Sequence, residues 1–394
     1  MTHNSTTYTT VRFGDVARQV TESTHSPIED GFERYTGMEH LESESLKIRQ
    51  WGLIEGNSTT FTRVFRAGQV LFGRRRAYQR KAALADFDGI CSGDIIVMEA
   101  KPNKLLPDLL PFIVQTEGFY EYALSTSAGS LSPRTKWSAL AKYEFPLPPL
   151  DEQRRIADVL WAVEDAIESF RFFVDQLLKT RIIVFEELVR QHDVDHNCIT
   201  KFRNALIDII AGKSPEGASR PAEQDEYGVL KVSAIGDYSY HEEENKVLVS
   251  QSDFLSAYEV QKGFLLVTRA NASKSGVARA CLVESTRAGL MLSDKTLRLI
   301  LHPEHATYRY MLEALRGRSF RNYIEMEANG TEAKNISQAK LRNAPIPLLP
   351  LKSQKSIEQF LYQYDESLKT SEIHASKLKL LKQTLLNGIT ERSL

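Results

Sequence analysis

The sequence predicts an α/β (α+β) protein: two homologous domains separated by two long helices, the helices forming an antiparallel coiled coil with pseudo-two-fold symmetry. Three observations predict it. The 394-residue chain repeats itself internally. Each repeat opens with apolar runs of period two interleaved with helical stretches. Each closes on a proline cluster followed by a heptad stripe. The hydrophobic content of 42% is ordinary for globular domains and allows two real cores.

The repeat is clearest around its prolines. Pro146, Leu147, Pro149, Leu150, Gln153, Ile156 and Leu160 are matched by Pro347, Leu348, Pro350, Leu351, Gln354, Ile357 and Leu361, each pair 201 positions apart. The same offset joins Leu140 with Leu341, Gly129 with Gly330, Phe119 with Phe320 and Ser92 with Ser293. Further upstream an insertion breaks the register, yet "FRAGQVLFGRRRA" still lies over "VQKGFLLVTRANA" and pairs Gly68 with Gly263 and Arg74 with Arg269. The chain reads as a tandem duplication.

The elements follow in chain order. Residues 1–148 form the first domain, with strand-like runs "GQVLFG" and "DIIVMEA" and the helical stretch "DLLPFIVQTEGFYEYAL". Residues 149–191 form the first long helix. Proline suits its start because the first-turn N–H groups have no intrahelical partner, and Asp151 and Glu152 suit the positive end of the helix dipole. Residues 192–199, polar and without periodicity, form a linker. Residues 200–349 form the second domain, with "GFLLVTRA", "KTLRLIL" and the helical "ATYRYMLEALRGRSFRNYI", and residues 350–394 form the second long helix.

The pairing of the helices rests on their stripes. Ile156, Leu160, Val163, Ile167, Phe170, Val174, Leu177, Arg181, Val184 and Leu188 alternate spacings of four and three. Their counterparts are Ile357, Leu361, Tyr364, Leu368, Ser371, Ala375, Leu378, Lys382, Leu385 and Ile389, with a basic residue at the same interrupted place. A strict 3.5-residue repeat marks a coiled-coil seam, whereas a helix that only covers its own domain shows a wider stripe of period 3.6. Forty residues of helix span roughly 60 Å.

Catalytic motifs are absent from the sequence. "AGKS" at 211–214 lacks the earlier glycine of a phosphate-binding loop, since Ile207 stands there, and reads as a turn. No G-x-G-x-x-G, H-E-x-x-H or G-x-S-x-G occurs. "HEEEN" at 241–245 reads as a solvated loop, and His192, His196 and Cys198 lack a fourth metal ligand. Three scattered cysteines argue against a disulfide framework and for a reducing compartment. With no signal-like N-terminus and no apolar run near ~18 residues, the expected location is cytoplasmic.

Binding residues stand out instead. Lysine and arginine number 50 against 51 acids, so any nucleic-acid contact must come from local clustering. "FGRRRAYQRK" places Arg74, Arg75, Arg76, Arg80 and Lys81 around Tyr78 directly after a strand. Arginine's planar fork grips phosphate or the guanine edge, although a solvated, charge-guarded strand edge has the same composition. The equivalent stretch "TRANASKSGVAR" keeps Arg269 and adds Asn271, Ser273, Lys274 and Arg279. A later loop repeats the pattern: "GSLSPRTKW" carries Arg134, Lys136 and Trp137, the last equally suited to a core, and "GTEAKNIS" carries Lys334 and Asn335. Asparagine suits adenine, so the two copies offer matching positions with different chemistry.

Taken together, "PLPPLDEQRRIADVL" before a long helix, the stretch "FDGICSGDIIVMEA", the duplicated layout and the terminal "LKLLKQTLLNGI" resemble the specificity subunit of type I restriction-modification systems. The second copy departs from the usual acidic form, with "LKSQKS" where the first has "LDEQRR". The resemblance implies two target-recognition domains, each reading one half of a split, asymmetric DNA target, and helices that set the gap. It implies a non-catalytic chain with no cofactor of its own, docked to two copies of a DNA methyltransferase subunit that supplies S-adenosylmethionine. It allows a motor-nuclease subunit using ATP and Mg. Alternatives are the specificity chain of a type II fused nuclease-methyltransferase system and a two-headed DNA-binding regulator.

Overall fold

The computed structural model describes residues 8–54, 59–130, 132–193, 197–218, 220–236, 238–330 and 333–390. The expected linker therefore lies partly outside the described residues, as does His196. The chain divides into two compact units: Met1–Phe172 with Glu372–Leu394, and Phe173–Ser371. Each unit thus holds one domain, the near half of its own long helix and half of the other.

The same four-stranded antiparallel sheet stands at the centre of each unit. In the first, the spatial order is Ala17–Val20, Ile95–Ala100, Val70–Gly73 and Ala82–Leu84. In the second it is Leu206–Ala211, Thr296–Leu301, Leu265–Thr268 and Ala280–Leu282. The central strands are buried on both faces, which explains why "VLFG" and "LLVT" read as continuous apolar runs rather than strict alternation. Gly68 and Gly263, equivalent in the repeat, precede these strands at φ of 85° and 88°, a backbone region that side chains with a Cβ rarely enter.

One face of each sheet carries helices and the main core. In the first unit Phe13, Phe72, Phe119, Tyr120 and Phe145 are fully buried together, with Phe13 and Phe119 edge to face at 4.9 Å between ring centroids. In the second, Met311, Leu312, Leu315 and Phe320 fill the equivalent layer. Each buried aromatic or aliphatic side chain contributes about 1.5–3 kcal/mol. A short antiparallel clasp closes each domain: Thr9–Arg12 pairs with Glu144–Leu147, and Ile199–Lys201 pairs with Pro345–Pro347. The strand that completes the clasp leads straight into the proline cluster.

The long helices run from Leu150 to His192 and from Leu351 to Thr390. The repeated glutamine explains their shared start. Gln153 Nε2 donates to the carbonyls of Pro148 (2.9 Å) and Lys104 (3.2 Å), and its Oε1 accepts the Leu106 N–H (2.9 Å). Gln354 does the same in the second unit, donating to Leu349 and His305 (both 2.7 Å) and accepting from Thr307 (3.0 Å). Both side chains are buried, so each ties the helix start to a domain loop through otherwise unserved backbone groups.

All the described seam positions are buried or half-buried, from Ile156 to Leu188 and from Ile357 to Ile389. Ala157, Phe185, Val189 and Leu386 are buried as well, one position off the seam. The stripe is wider than a pure coiled-coil seam because the helices also cover their domains: Leu160, Leu386 and Ile389 belong to the first core, and Phe185, Ile357 and Leu361 to the second. The run is antiparallel in the first unit, where Glu164 pairs with Lys382 and Phe170 stacks on His374; in the second, Arg181 pairs with Asp365.

Those ion pairs fill the interrupted seam positions. Lys382 Nζ lies 2.7 Å from Glu164 Oε2, with side chains 8% and 3% exposed. At the repeat-equivalent place Arg181, also 8% exposed, bridges Asp365 and Glu313, the latter at 3.0 Å. A buried polar layer of this kind specifies register and orientation in paired helices. Among the described residues, no helix is long and apolar enough to cross a membrane.

Candidate functional site: a loop platform built twice

The two basic segments singled out in each repeat lie some sixty residues apart in sequence and meet in the structure. In the first unit the loop leaving the strand Val70–Gly73 pairs with the loop before Trp137. Arg75 and Arg134 face each other across an antiparallel bridge, and Arg134 also bridges to Ala128. The Arg74 N–H donates to the Asp94 carbonyl (2.9 Å), the Thr135 N–H to the Arg74 carbonyl (3.1 Å) and the Arg76 N–H to the Pro133 carbonyl (2.9 Å).

The second unit repeats this backbone bond for bond. Ala270–Asn271 pairs with Lys334–Asn335 in the register Ala270 to Asn335, and Asn335 bridges to Asn329. The Arg269 N–H donates to the Lys295 carbonyl (2.8 Å) and the Ile336 N–H to the Arg269 carbonyl (3.0 Å). Gly129 and Gly330 turn the second loop in each unit at φ of 117° and 135°. One scaffold therefore carries two different sets of side chains.

In the first unit, several of the expected contact residues are committed to the fold. The Arg74 Nε donates to the Thr135 carbonyl (3.0 Å), and burial pushes its guanidinium below the ordinary arginine value. Arg80, held in the left-handed region at φ 50°, bonds Glu117 and lies over the Tyr120 ring, 5.4 Å from its centroid. Lys81 donates to the Met38 carbonyl (2.8 Å), and burial lowers its pKa. Trp137 packs at the margin of the core, tilted on Phe13 at 5.6 Å.

The rest remain at the surface. Tyr78 is 56% exposed, and Lys136 is exposed at the start of the short helix Trp137–Leu140. Arg76 is half-buried with φ 53°. Arg75 and Arg134 converge on a residue that sequence reasoning missed. Asp94 accepts from Arg134 Nε (2.6 Å) and NH2 (3.3 Å) and from Arg75 NH1 (3.4 Å), while Arg75 NH2 also donates to Ser132 Oγ (3.0 Å). The Arg134 bond, above all, holds the Asp94 carboxyl below the usual carboxylate range.

On the second platform Arg269 and Asn335 are exposed. Asn271 Oδ1 accepts the Ser273 N–H (3.4 Å), and Ser273 Oγ caps a short turn by accepting the Gly276 N–H (3.2 Å). Lys274 donates to the Glu325 carbonyl (3.0 Å) and Lys334 to the Gly330 carbonyl. Arg279 is half-buried, its N–H donating to Thr268 Oγ1 (3.0 Å). The position equivalent to Asp94 is Lys295, exposed. The 201-residue offset that pairs Ser92 with Ser293 also pairs Asp94 with Lys295, and that charge reversal was the available signal. Among the described residues, no group of three or more His, Cys, Asp and Glu side chains is placed to hold a metal ion.

Comparison with known proteins places these units in context. Residues 6–171 and 204–382 each match the Type I restriction modification DNA specificity domain. Part of the chain is 38% identical over 189 residues to the type I restriction enzyme EcoEI specificity subunit of Escherichia coli, spanning 46% of this chain but only 30% of that protein. A longer match, 21% identical over 341 residues, covers 82% of this chain and 75% of the type I restriction enzyme MjaVIII specificity subunit of Methanocaldococcus jannaschii. Among solved structures, the type I restriction-modification S subunit from M. genitalium aligns over 100% of this chain and 99% of its own, with 12% identity and a TM-score of 0.48. The two domain matches together take in most of the sequence, and the chain belongs to the type I restriction modification DNA specificity domain family, whose domain it carries twice.

Proposed function

We propose that this chain is the DNA-reading subunit of a type I restriction-modification complex, each unit reading one half of a bipartite, asymmetric target. The observation that carries the reading is the twice-built platform: the same backbone bonds frame Arg75 and Arg134 in one unit and Ala270 and Asn335 in the other. Direct readout of different sequences needs a constant frame with exchanged side chains, arginine matching guanine and asparagine matching adenine.

The chain supplies recognition, and the chemistry belongs to partners. Two copies of a DNA methyltransferase subunit, carrying S-adenosylmethionine, dock on the long helices, and a motor-nuclease subunit using ATP and Mg joins where the system cleaves DNA. Exposed apolar side chains on those helices support the docking: Val159 and Phe172 in the first unit, and Ile183, Phe360 and Tyr362 in the second. Free, buried Cys91 and Cys281 and the balanced charge suit a cytoplasmic complex in which partners add to DNA affinity. The test is co-expression with the cognate methyltransferase, followed by methylation sequencing of host DNA. A split adenine-methylated motif that disappears when this chain is omitted is expected; a stable complex with no methylated motif rejects the reading.

A further inference from the structure

The residue on the first platform with no role so far is Asp94, and its geometry is specific. A guanidinium has five N–H donors in a plane. Asp94 occupies the side edge of Arg134, taking Nε–H at 2.6 Å and one NH2 hydrogen at 3.3 Å. That leaves the end edge, one hydrogen on NH1 and one on NH2, with NH1 also making a long bond to the Ser132 carbonyl at 3.5 Å. The Arg134 side chain is 43% exposed while that of Asp94 is 20% exposed, so the acid sits beneath and the fork stands outward. Arg75 closes the other side of the carboxylate at 3.4 Å.

We infer that Asp94 is a positioning residue that holds Arg134 end-on for bidentate recognition of a guanine in the half-site read by the first unit. The inference rests on the DNA-reading function proposed above and names the base at one position of it. An arginine free to rotate grips any phosphate; one whose side edge is bound to a carboxylate offers a fixed two-donor fork that matches the O6 and N7 acceptors of guanine. Asp94 also offsets part of the local positive charge, which weakens indiscriminate phosphate binding. The second unit lacks the device: Ala270, Lys295 and Asn335 stand where Arg75, Asp94 and Arg134 do. Its half-site is read by other chemistry at the equivalent position.

The test uses the full chain in complex with its methyltransferase, with methylation sequencing as the readout. Asp94→Asn and Arg134→Lys keep the size of each side chain but remove the clasp or the fork. Each should relax one guanine position of one half-site by about ten- to a hundred-fold in preference, as loss of a bidentate base contact does. The other half-site should keep its sequence and serve as the internal control for folding, and Arg269→Ala should alter that other half-site, assigning each half to its unit. An unchanged guanine preference in both variants overturns the inference, as does a first half-site without guanine or an equal loss at every position. If the unmutated complex methylates no split motif, the functional reading itself has failed, which is a separate result.

Discussion

Replacing Lys382 with methionine tests whether the seam's buried charges set its stability. The methionine keeps the length of the stem and removes only the ammonium, leaving Glu164, whose side chain is 3% exposed, without the cation 2.7 Å away. Breaking a buried pair from one side costs about 3–5 kcal/mol. The variant should therefore lose about 3–5 kcal/mol in equilibrium urea unfolding of the purified chain. Adding Glu164→Leu should recover most of it, because the uncompensated charge, rather than the loss of a favourable contact, is the larger part of the penalty. A loss below about 1 kcal/mol for Lys382→Met, or a double variant no more stable than the single one, refutes the reasoning.

Three further outcomes follow from particular contacts. Gln153→Leu removes three hydrogen bonds to backbone groups of Lys104, Leu106 and Pro148 and should cost about 3 kcal/mol in the same unfolding assay, with Gln354→Leu costing a similar amount in the second unit. Burial pushes the Cys91 and Cys281 thiols up to about 12, so neither should be alkylated by iodoacetamide at pH 8 in the native chain within the time that denatured chain reacts fully; mass spectrometry of digests reads this directly. Asp94 has its folded pKa depressed, so its contribution to stability is fully present above the unfolded value of ~3.9 and is lost as pH falls through the lower folded value. Asp94→Asn should accordingly reduce the acid sensitivity of unfolding below about pH 4, and a carbon-detected NMR titration of Asp94 at or above the ordinary aspartate range contradicts the clasp.

Much of the fold was legible because it depends on local periodicity. The seam positions from Ile156 to Leu188 are set by the near match between 3.5-residue spacing and the helical turn, and the described structure buries or half-buries all of them. The repeated glycines mark turns whose φ only glycine adopts at little cost, so Gly68, Gly129, Gly263 and Gly330 could be paired without knowing any contact. The wider helix stripe was not legible. Ala157 and Phe185 are buried because the helices also lie on their own domains, and that surface is assembled from strands and loops remote in sequence.

By itself the sequence determined the duplication, the alternation of sheet and helix in each half, the helix starts and the charged interruption of the seam, since each follows from backbone geometry acting over a few residues or from direct comparison of the halves. Only the tertiary structure decided what the basic residues do. Arg74, Arg80 and Lys81 look alike in "FGRRRAYQRK", yet the fold gives the first a carbonyl 61 residues away, the second a glutamate 37 away and the third a carbonyl 43 away. Arg75 and Arg134 are left at the surface, joined through Asp94. A charge takes the partner that chain closure brings within hydrogen-bond reach, and no local pattern encodes that choice.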